Sequence, residues 1–166
     1  MKLAIGCDEA AYELKQALTA FMQERGIEVT DFGTYDNKPV LYPDIAYQVA
    51  REVAAGKFER AVLLCGTGIG VAITANKVPG VRAAQCHDTY SAERARKSNN
   101  AQILTMGAYI VGPALAKTIL ATWLDSEFQG GNSTQKVQRI CDYEEAIAKE
   151  TREASERREA NERKTQ

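Results

Sequence analysis

The sequence predicts an α/β protein, a Rossmann-like three-layer α/β/α sandwich built on a five-stranded, mostly parallel sheet. Two observations lead there. Short apolar runs alternate along the chain with stretches of helical hydrophobic period, the order expected of strands joined by crossover helices. Three of the runs end in cysteine, at Cys7, Cys65 and Cys86, and polar or turn-forming residues follow each at once. Ligands of such sheets bind beyond the carboxyl ends of the strands. Cys7-Asp8-Glu9, Cys65-Gly66-Thr67-Gly68 and Cys86-His87-Asp88 are therefore predicted to share one edge.

Lys2 to Cys7 reads as the first buried strand. Tyr12 to Arg25 is a helix with Leu14, Leu18, Phe21 and Met22 on one stripe, stopped by Gly26. Ile27 to Phe32 alternates as the second strand, and Gly33 to Pro43 is a loop. Asp44 is predicted to cap the next helix, which carries Ala46, Val49, Ala50 and Val53 on one face and ends at Gly56. Ala61 to Leu64 has the length and residue types of a third, buried strand. Beyond its glycine-rich turn a helix starts near Ile69 and stops at Pro79-Gly80. Val81 to Cys86 is the fourth strand, Thr89 to Lys97 a short charged helix, and Gln102 to Met106 the fifth strand. Pro113 opens a helix with Leu115, Ile119 and Trp123 on one face. After Phe128-Gln129-Gly130-Gly131, a last helical pattern carries Val137, Ile140, Cys141 and Ile147. From Glu144 onward the residues are mostly Glu, Arg, Lys and Ala. That stretch reads as a solvated, partly frayed helix, or as one packed on a partner subunit through Ile140, Tyr143 and Ile147. The expected organisation is one domain over residues 1–148 and a charged tail over 149–166.

A chain of 166 residues has room for one domain with a proper core. Acidic and basic residues nearly balance at a net charge of -1, which gives no case for a nucleic-acid partner or a membrane surface. The 4 cysteines are widely spaced, no C-x-x-C pair occurs and there is 1 histidine, so no metal is expected. No apolar run approaches membrane-spanning length, and Met1 leads directly into a strand rather than a signal peptide. A reduced, cytoplasmic protein is the expectation.

The chemistry concentrates in Cys65-Gly66-Thr67-Gly68-Ile69-Gly70. The glycines allow a tight turn whose amides point at a ligand, and the following helix adds its free N–H groups. A thiol at the junction of strand and helix sits in a field that favours thiolate. Cys65 is thus a candidate acid/base beside a nest of anion-binding donors; equally, it could be a small apolar strand residue. The G-x-G-x-G spacing is not that of a dinucleotide loop, and no Lys-Ser/Thr pair makes it a P-loop.

Several runs together resemble the type B ribose-5-phosphate isomerases of the RpiB/LacAB family. They are Gly6-Cys7-Asp8-Glu9-Ala10-Ala11-Tyr12-Glu13-Leu14-Lys15, Tyr42-Pro43-Asp44, Cys65 to Gly70, Ala75-Asn76-Lys77-Val78-Pro79-Gly80 and Asn99-Asn100-Ala101. Tyr90-Ser91-Ala92-Glu93-Arg94 and Gly130-Gly131 fall where the family has similar runs, and the resemblance covers residues 1 to 148. It implies a homodimer or dimer of dimers with active sites shared between subunits. It also implies reversible aldose–ketose isomerisation of a phosphosugar through a cis-enediolate, without metal or organic cofactor. Cys65 matches the base, and Thr67 matches the residue that assists proton transfer between the oxygens. The amides of Gly66, Gly68, Ile69 and Gly70 would stabilise the enediolate oxygen. Asp8 and Asn99 match residues that hold sugar hydroxyls or the carbonyl oxygen, and Glu9 and Tyr42 join them as substrate-binding candidates.

The chain departs from the family where ring opening and phosphate binding are concerned. Family members acting on ribose 5-phosphate usually carry histidine at the positions of Glu9 and Ser98, the second of which helps to open the furanose ring. Asn132 and Lys136 stand where two phosphate-binding arginines are common. A ring-opening group is unnecessary for erythrose 4-phosphate, whose O4 is esterified. The segment from His87 to Ala95 also resembles a branch associated with erythrose and erythrulose 4-phosphates. The rival expectation is that His87 opens the ring of ribose 5-phosphate. Candidates for the phosphate are His87, Arg94, Lys136 and Arg139. The alternative function is a catalytically silent subunit of LacAB type, or a sugar-phosphate-binding protein.

Overall fold

The computed structural model describes residues 1–164. The apolar runs form five strands: β1 (Lys2–Cys7), β2 (Glu28–Asp31), β3 (Arg60–Cys65), β4 (Ala83–Gln85) and β5 (Ile103–Gly107). Their order in the sheet is β2-β1-β3-β5-β4, and every neighbouring pair is parallel. The sheet is wholly parallel where a mostly parallel one was expected. Helices α1 (Tyr12–Glu24), α2 (Tyr42–Ala54), α3 (Ile69–Ala75) and α4 (Thr89–Lys97) make the four crossovers such a sheet requires, and α5 (Pro113–Leu124) follows the last strand. A 3-10 turn, Glu9–Ala11, precedes α1.

Successive strand residues point to opposite faces, so each strand feeds two cores. Leu3, Ile5, Val62, Leu64, Leu104 and Met106 pack with α1, α4 and α5. Ala4, Ala61, Leu63, Cys65 and Ile103 pack with α2 and α3. With helices on both faces the three layers are complete, and the inner strands β1, β3 and β5 are largely apolar because neither face meets water, whereas the edge strand β2 carries Glu28, Thr30 and Asp31.

Three sequence expectations shift at their boundaries. The second helix starts at Tyr42 with Leu41 at its cap, so Asp44 lies in the first turn rather than capping it. Proline suits a first turn because it lacks the N–H that would go unused there, and Pro43 therefore sits inside the helix. In α5 the buried stripe is Ala116, Ile119, Leu120 and Trp123, while Leu115 is 46% exposed. The fourth strand keeps only three of its six expected residues, because the Val81 amide turns back to the Val78 carbonyl.

Asn76, just past α3, finishes that short edge. Its side chain donates to the Ala83 carbonyl at 2.8 Å and accepts from the Ala83 amide at 2.9 Å. Ile103 N donates to the Arg82 carbonyl and Cys86 N to that of Thr105, so alternation turns the Ala83 groups away from β5. One side chain thereby makes both hydrogen bonds that a further strand would make at this residue.

The chain divides at Gly130/Gly131 into two compact units. The second holds α6 (Asn132–Lys164), one continuous helix of 33 residues. Its distal part carries i, i+4 pairs such as Lys149–Glu153 and Arg163–Glu159, which support an exposed helix. Ile140 and Ile147 are 44% and 63% exposed. Residues 165 and 166, the end of the expected tail, lie outside the described residues. Among the described residues no helix is long and apolar enough to cross a membrane.

Arg60, at the start of β3, is 1% exposed and holds the chain that leaves α5. It donates to the carbonyls of Trp123 and Leu124 at 3.0 Å and of Ser126 at 3.1 Å, and pairs with Glu127. Arg60→Met would leave three carbonyls without their donor, and is expected to lower unfolding free energy by about 3 kcal/mol in a urea titration.

Candidate active site

In the order β2-β1-β3-β5-β4 the chain steps out from β1 to β2 and returns to the other side of β1. The switch point thus lies between β1 and β3, the crevice where open parallel sheets bind ligands. The two segments that leave it are Asp8-Glu9 and Cys65 to Gly70. A hydrogen bond from Asp8 N to the Leu64 carbonyl at 3.3 Å ties them together.

Cys65 is the last residue of β3 and 5% exposed. Its Sγ accepts the amide of Gly68 at 3.1 Å, and Thr67 Oγ1 accepts the amide of Ile69 at 3.3 Å. Gly68 has φ +77, and a Cβ there would stand 2.7 Å from the backbone carbon of Met106. Only glycine permits both the left-handed conformation and that approach. The amides of Gly70 and Val71 are left without intrahelical acceptors by the geometry of a helix start. Two rings border this loop. The Tyr42 ring lies 2.5 Å from where a Cβ of Gly70 would be, and the Tyr109 ring 2.8 Å from the same point on Gly66.

Asp8 follows β1 at the switch point, and its carboxyl Oδ1 is buried with no hydrogen-bond partner. Burial, followed by the charge of Glu9, pushes the Asp8 carboxyl above the usual carboxylate range. Glu9 accepts the Val40 amide at 3.1 Å, which fixes the loop before α2. His87 Nε2 accepts the Gly107 amide at 3.0 Å. That nitrogen is committed to the end of β5, and the imidazole proton sits on Nδ1.

Asn99 and Arg94 lie away from this loop. Asn99 follows α4, and its carbonyl accepts from Arg82, just before β4. It therefore stands at the amino edge of the sheet, opposite Cys65, and its side chain donates to the Arg94 carbonyl. Arg94 pairs with Glu93 and reaches Ser98 Oγ at 3.5 Å. Lys136 and Arg139 are exposed on α6, where Arg139 pairs with Asp142 at 3.8 Å. A cavity of about 350 Å³ next to Tyr109 is bordered by Glu13, Leu14 and Val111, with no cation on its wall.

Sequence reasoning missed Tyr109, Gln85 and Thr105, all in contact with the loop. A signal existed for two of them. Thr105 interrupts the apolar run Ile103-Leu104-Thr105-Met106, and Gln85 interrupts Ala83-Ala84-Gln85-Cys86.

Residues 3–140 match the Ribose/Galactose Isomerase family. A ribose-5-P isomerase B from Listeria innocua is 62% identical over 137 residues, 82% of this chain and 93% of that protein. A D-erythrulose-4-phosphate isomerase from Pectobacterium atrosepticum is 55% identical over 146 residues, 87% of this chain and 95% of the other. The structure of Clostridium thermocellum ribose-5-phosphate isomerase B superposes with a TM-score of 0.87 at 46% identity, covering 89% of this chain and 99% of that one. The five-stranded parallel sheet between helices is the fold this chain shares with that structure. The chain belongs to the Ribose/Galactose Isomerase family.

Two predictions follow from the charges. A carboxyl whose folded value is raised stabilises the fold below the ordinary carboxylate range and loses that stabilisation as pH rises. Asp8→Asn is therefore expected to raise Tm at pH 7, with the difference vanishing below about pH 4. Calorimetry at both pH values checks it. Burial pushes the Cys7 and Cys86 thiols up to about 12. At pH 8 iodoacetamide should therefore leave both unmodified in the native protein while Cys65 reacts, as peptide mass spectrometry would report.

Proposed function

We propose that this chain is a cofactor-independent aldose–ketose isomerase of small phosphosugars, with Cys65 as the base. The observation that carries the reading is the paired amide geometry of the loop. One N–H meets the Cys65 sulfur, the next meets the Thr67 hydroxyl, and further amides stay unpaired beside them. Cys65, as thiolate, takes the proton from the carbon that bears the hydroxyl next to the carbonyl, and a cis-enediolate forms. The same thiol returns the proton to the neighbouring carbon. Thr67 passes a proton between the two oxygens, and the loop amides hold the negative charge that develops on them. The exchange needs no outside oxidant or reductant. Asp8 receives a sugar hydroxyl on its open Oδ1, which answers the cost of burying that oxygen.

Asn99 lies at the far edge of the sheet, so one chain cannot bring it to Cys65. A homodimer, alone or paired into a dimer of dimers, in which each chain lends Asn99 and phosphate-binding cations such as Lys136 and Arg139 to the other's Cys65, meets that requirement. On this reading residues 1–148 make the isomerase and 149–166 are an added charged tail.

Within the class, a tetrose 4-phosphate is the substrate we favour. Ring opening needs a free acid–base group, and each candidate already has one polar atom engaged. His87 Nε2 is held by Gly107, Glu9 by Val40 and Ser98 by Arg94. Isomerisation of D-erythrose 4-phosphate and ribose 5-phosphate, measured side by side, tests both levels. The expected result is a higher kcat/KM for the tetrose and a loss of about 10³-fold in Cys65→Ala. Preference for the pentose would pass ring opening to His87. No Cys65-dependent turnover of either would leave a silent LacAB-like subunit or a sugar-phosphate-binding protein.

A further inference from the structure

The loop that carries Cys65 and Thr67 is held from behind by two side chains outside it. Gln85, an exposed residue at the end of β4, donates through Nε2 to the Thr67 carbonyl at 2.7 Å. Thr105, 0% exposed in the middle of β5, donates through Oγ1 to the Gly68 carbonyl at 2.9 Å. These carbonyls belong to two consecutive peptide groups. The carbonyl of Thr67 shares its plane with the amide of Gly68, and that of Gly68 with the amide of Ile69. In a trans peptide the C=O and the N–H point in opposite directions, so fixing one fixes the other. The Gly68 amide is the one aimed at Cys65 Sγ, and the Ile69 amide is the one aimed at Thr67 Oγ1.

We propose that Gln85 and Thr105 are positioning residues for the isomerisation, Gln85 by turning the Gly68 amide onto the Cys65 sulfur and Thr105 by turning the Ile69 amide onto the Thr67 hydroxyl. The assignment rests on the reading of Cys65 and Thr67 given above. Each acts through one peptide plane, and neither touches the reacting carbons. The division of labour is specific, since one side chain governs the thiol and the other the hydroxyl. Glycine at position 68 makes this control necessary. Its peptide planes rotate more freely than those of any other residue, so their orientation must come from outside the loop. Thr105 reaches it from an inner strand and Gln85 from the edge strand, one from each of the two strands beyond β3. In both cases the donor is a neutral side chain, so the amides are turned toward sulfur and hydroxyl without placing a second charge beside them.

The test uses four variants of the full-length chain. Gln85→Leu and Gln85→Glu keep roughly the side-chain length but remove the donor, Thr105→Val removes the hydroxyl, and Thr105→Ser keeps it. Gln85→Leu and Gln85→Glu are expected to slow iodoacetamide alkylation of Cys65 at pH 7 and to lower kcat, each by about three- to tenfold, the scale of one neutral hydrogen bond. KM and Tm should hold, because Gln85 is exposed and touches no substrate. Thr105→Val should lower kcat with little change in Cys65 alkylation, and Thr105→Ser should restore it. Alkylation rates of both Gln85 variants equal to the parent's would overturn the role of Gln85. A Thr105→Ser variant as slow as Thr105→Val would overturn that of Thr105. If the parent turned over no phosphosugar while Gln85→Leu still slowed alkylation, the positioning of Cys65 would stand and the isomerase reading would fall.

Discussion

The site depends on one close approach, that of the glycine loop to the end of β5. A Cβ on Gly68 would stand 2.7 Å from the Met106 backbone, and one on Gly107 would stand 2.6 Å from that of Thr67. Two glycines facing each other let two backbone segments touch where side chains would hold them apart. The loop therefore lies flat on the sheet rather than arching away from it. Everything else in the crevice is arranged by that contact. The Gly68 amide meets the Cys65 sulfur, the Ile69 amide meets the Thr67 hydroxyl, and His87 reaches the Gly107 amide from the adjoining loop. A larger residue at either glycine would lift the loop and separate the thiol from the amide that meets it.

Rigidity here comes from neutral hydrogen bonds and backbone packing rather than ion pairs. The charged pairs of the fold sit at a distance from the loop and do structural work. Lys15, 0% exposed, holds both oxygens of Asp31 below the segment that follows β2. Arg60 and Arg96 share Glu127 at the amino edge of the sheet. A loop held by neutral donors suits the proposed isomerisation, whose charge appears only as the enediolate forms. Donors already in place need not reorganise at that moment.

Much of the fold was legible in the chain. Leu3 to Cys7 and Ala61 to Cys65 are apolar on both faces, as the strands of a covered parallel sheet are, and the helical stripes of α1 and α2 were plain. The β3 loop was legible too, because glycine spacing and a strand-end cysteine are local signals. Asp44 was misplaced because proline at a helix start competes with an acidic cap for the same few positions. The partners of the loop carbonyls were not legible for a different reason. Gln85 and Thr105 act from strands well beyond the loop in sequence, and no local pattern records which carbonyl a distant donor will meet. The absence of Asn99 from the Cys65 edge likewise follows only from strand order, since a helix must carry the chain back across the sheet before the next parallel strand begins.

Asn76 has a consequence beyond its place at the end of α3. An open sheet edge offers unpaired amides and carbonyls on which a strand from another molecule can dock. At β4 that offer is withdrawn, for Asn76 occupies both groups of Ala83, and the strand itself is only 3 residues long. An asparagine acts here as a false neighbour strand, shielding the edge nearest the glycine loop from growth into aggregates.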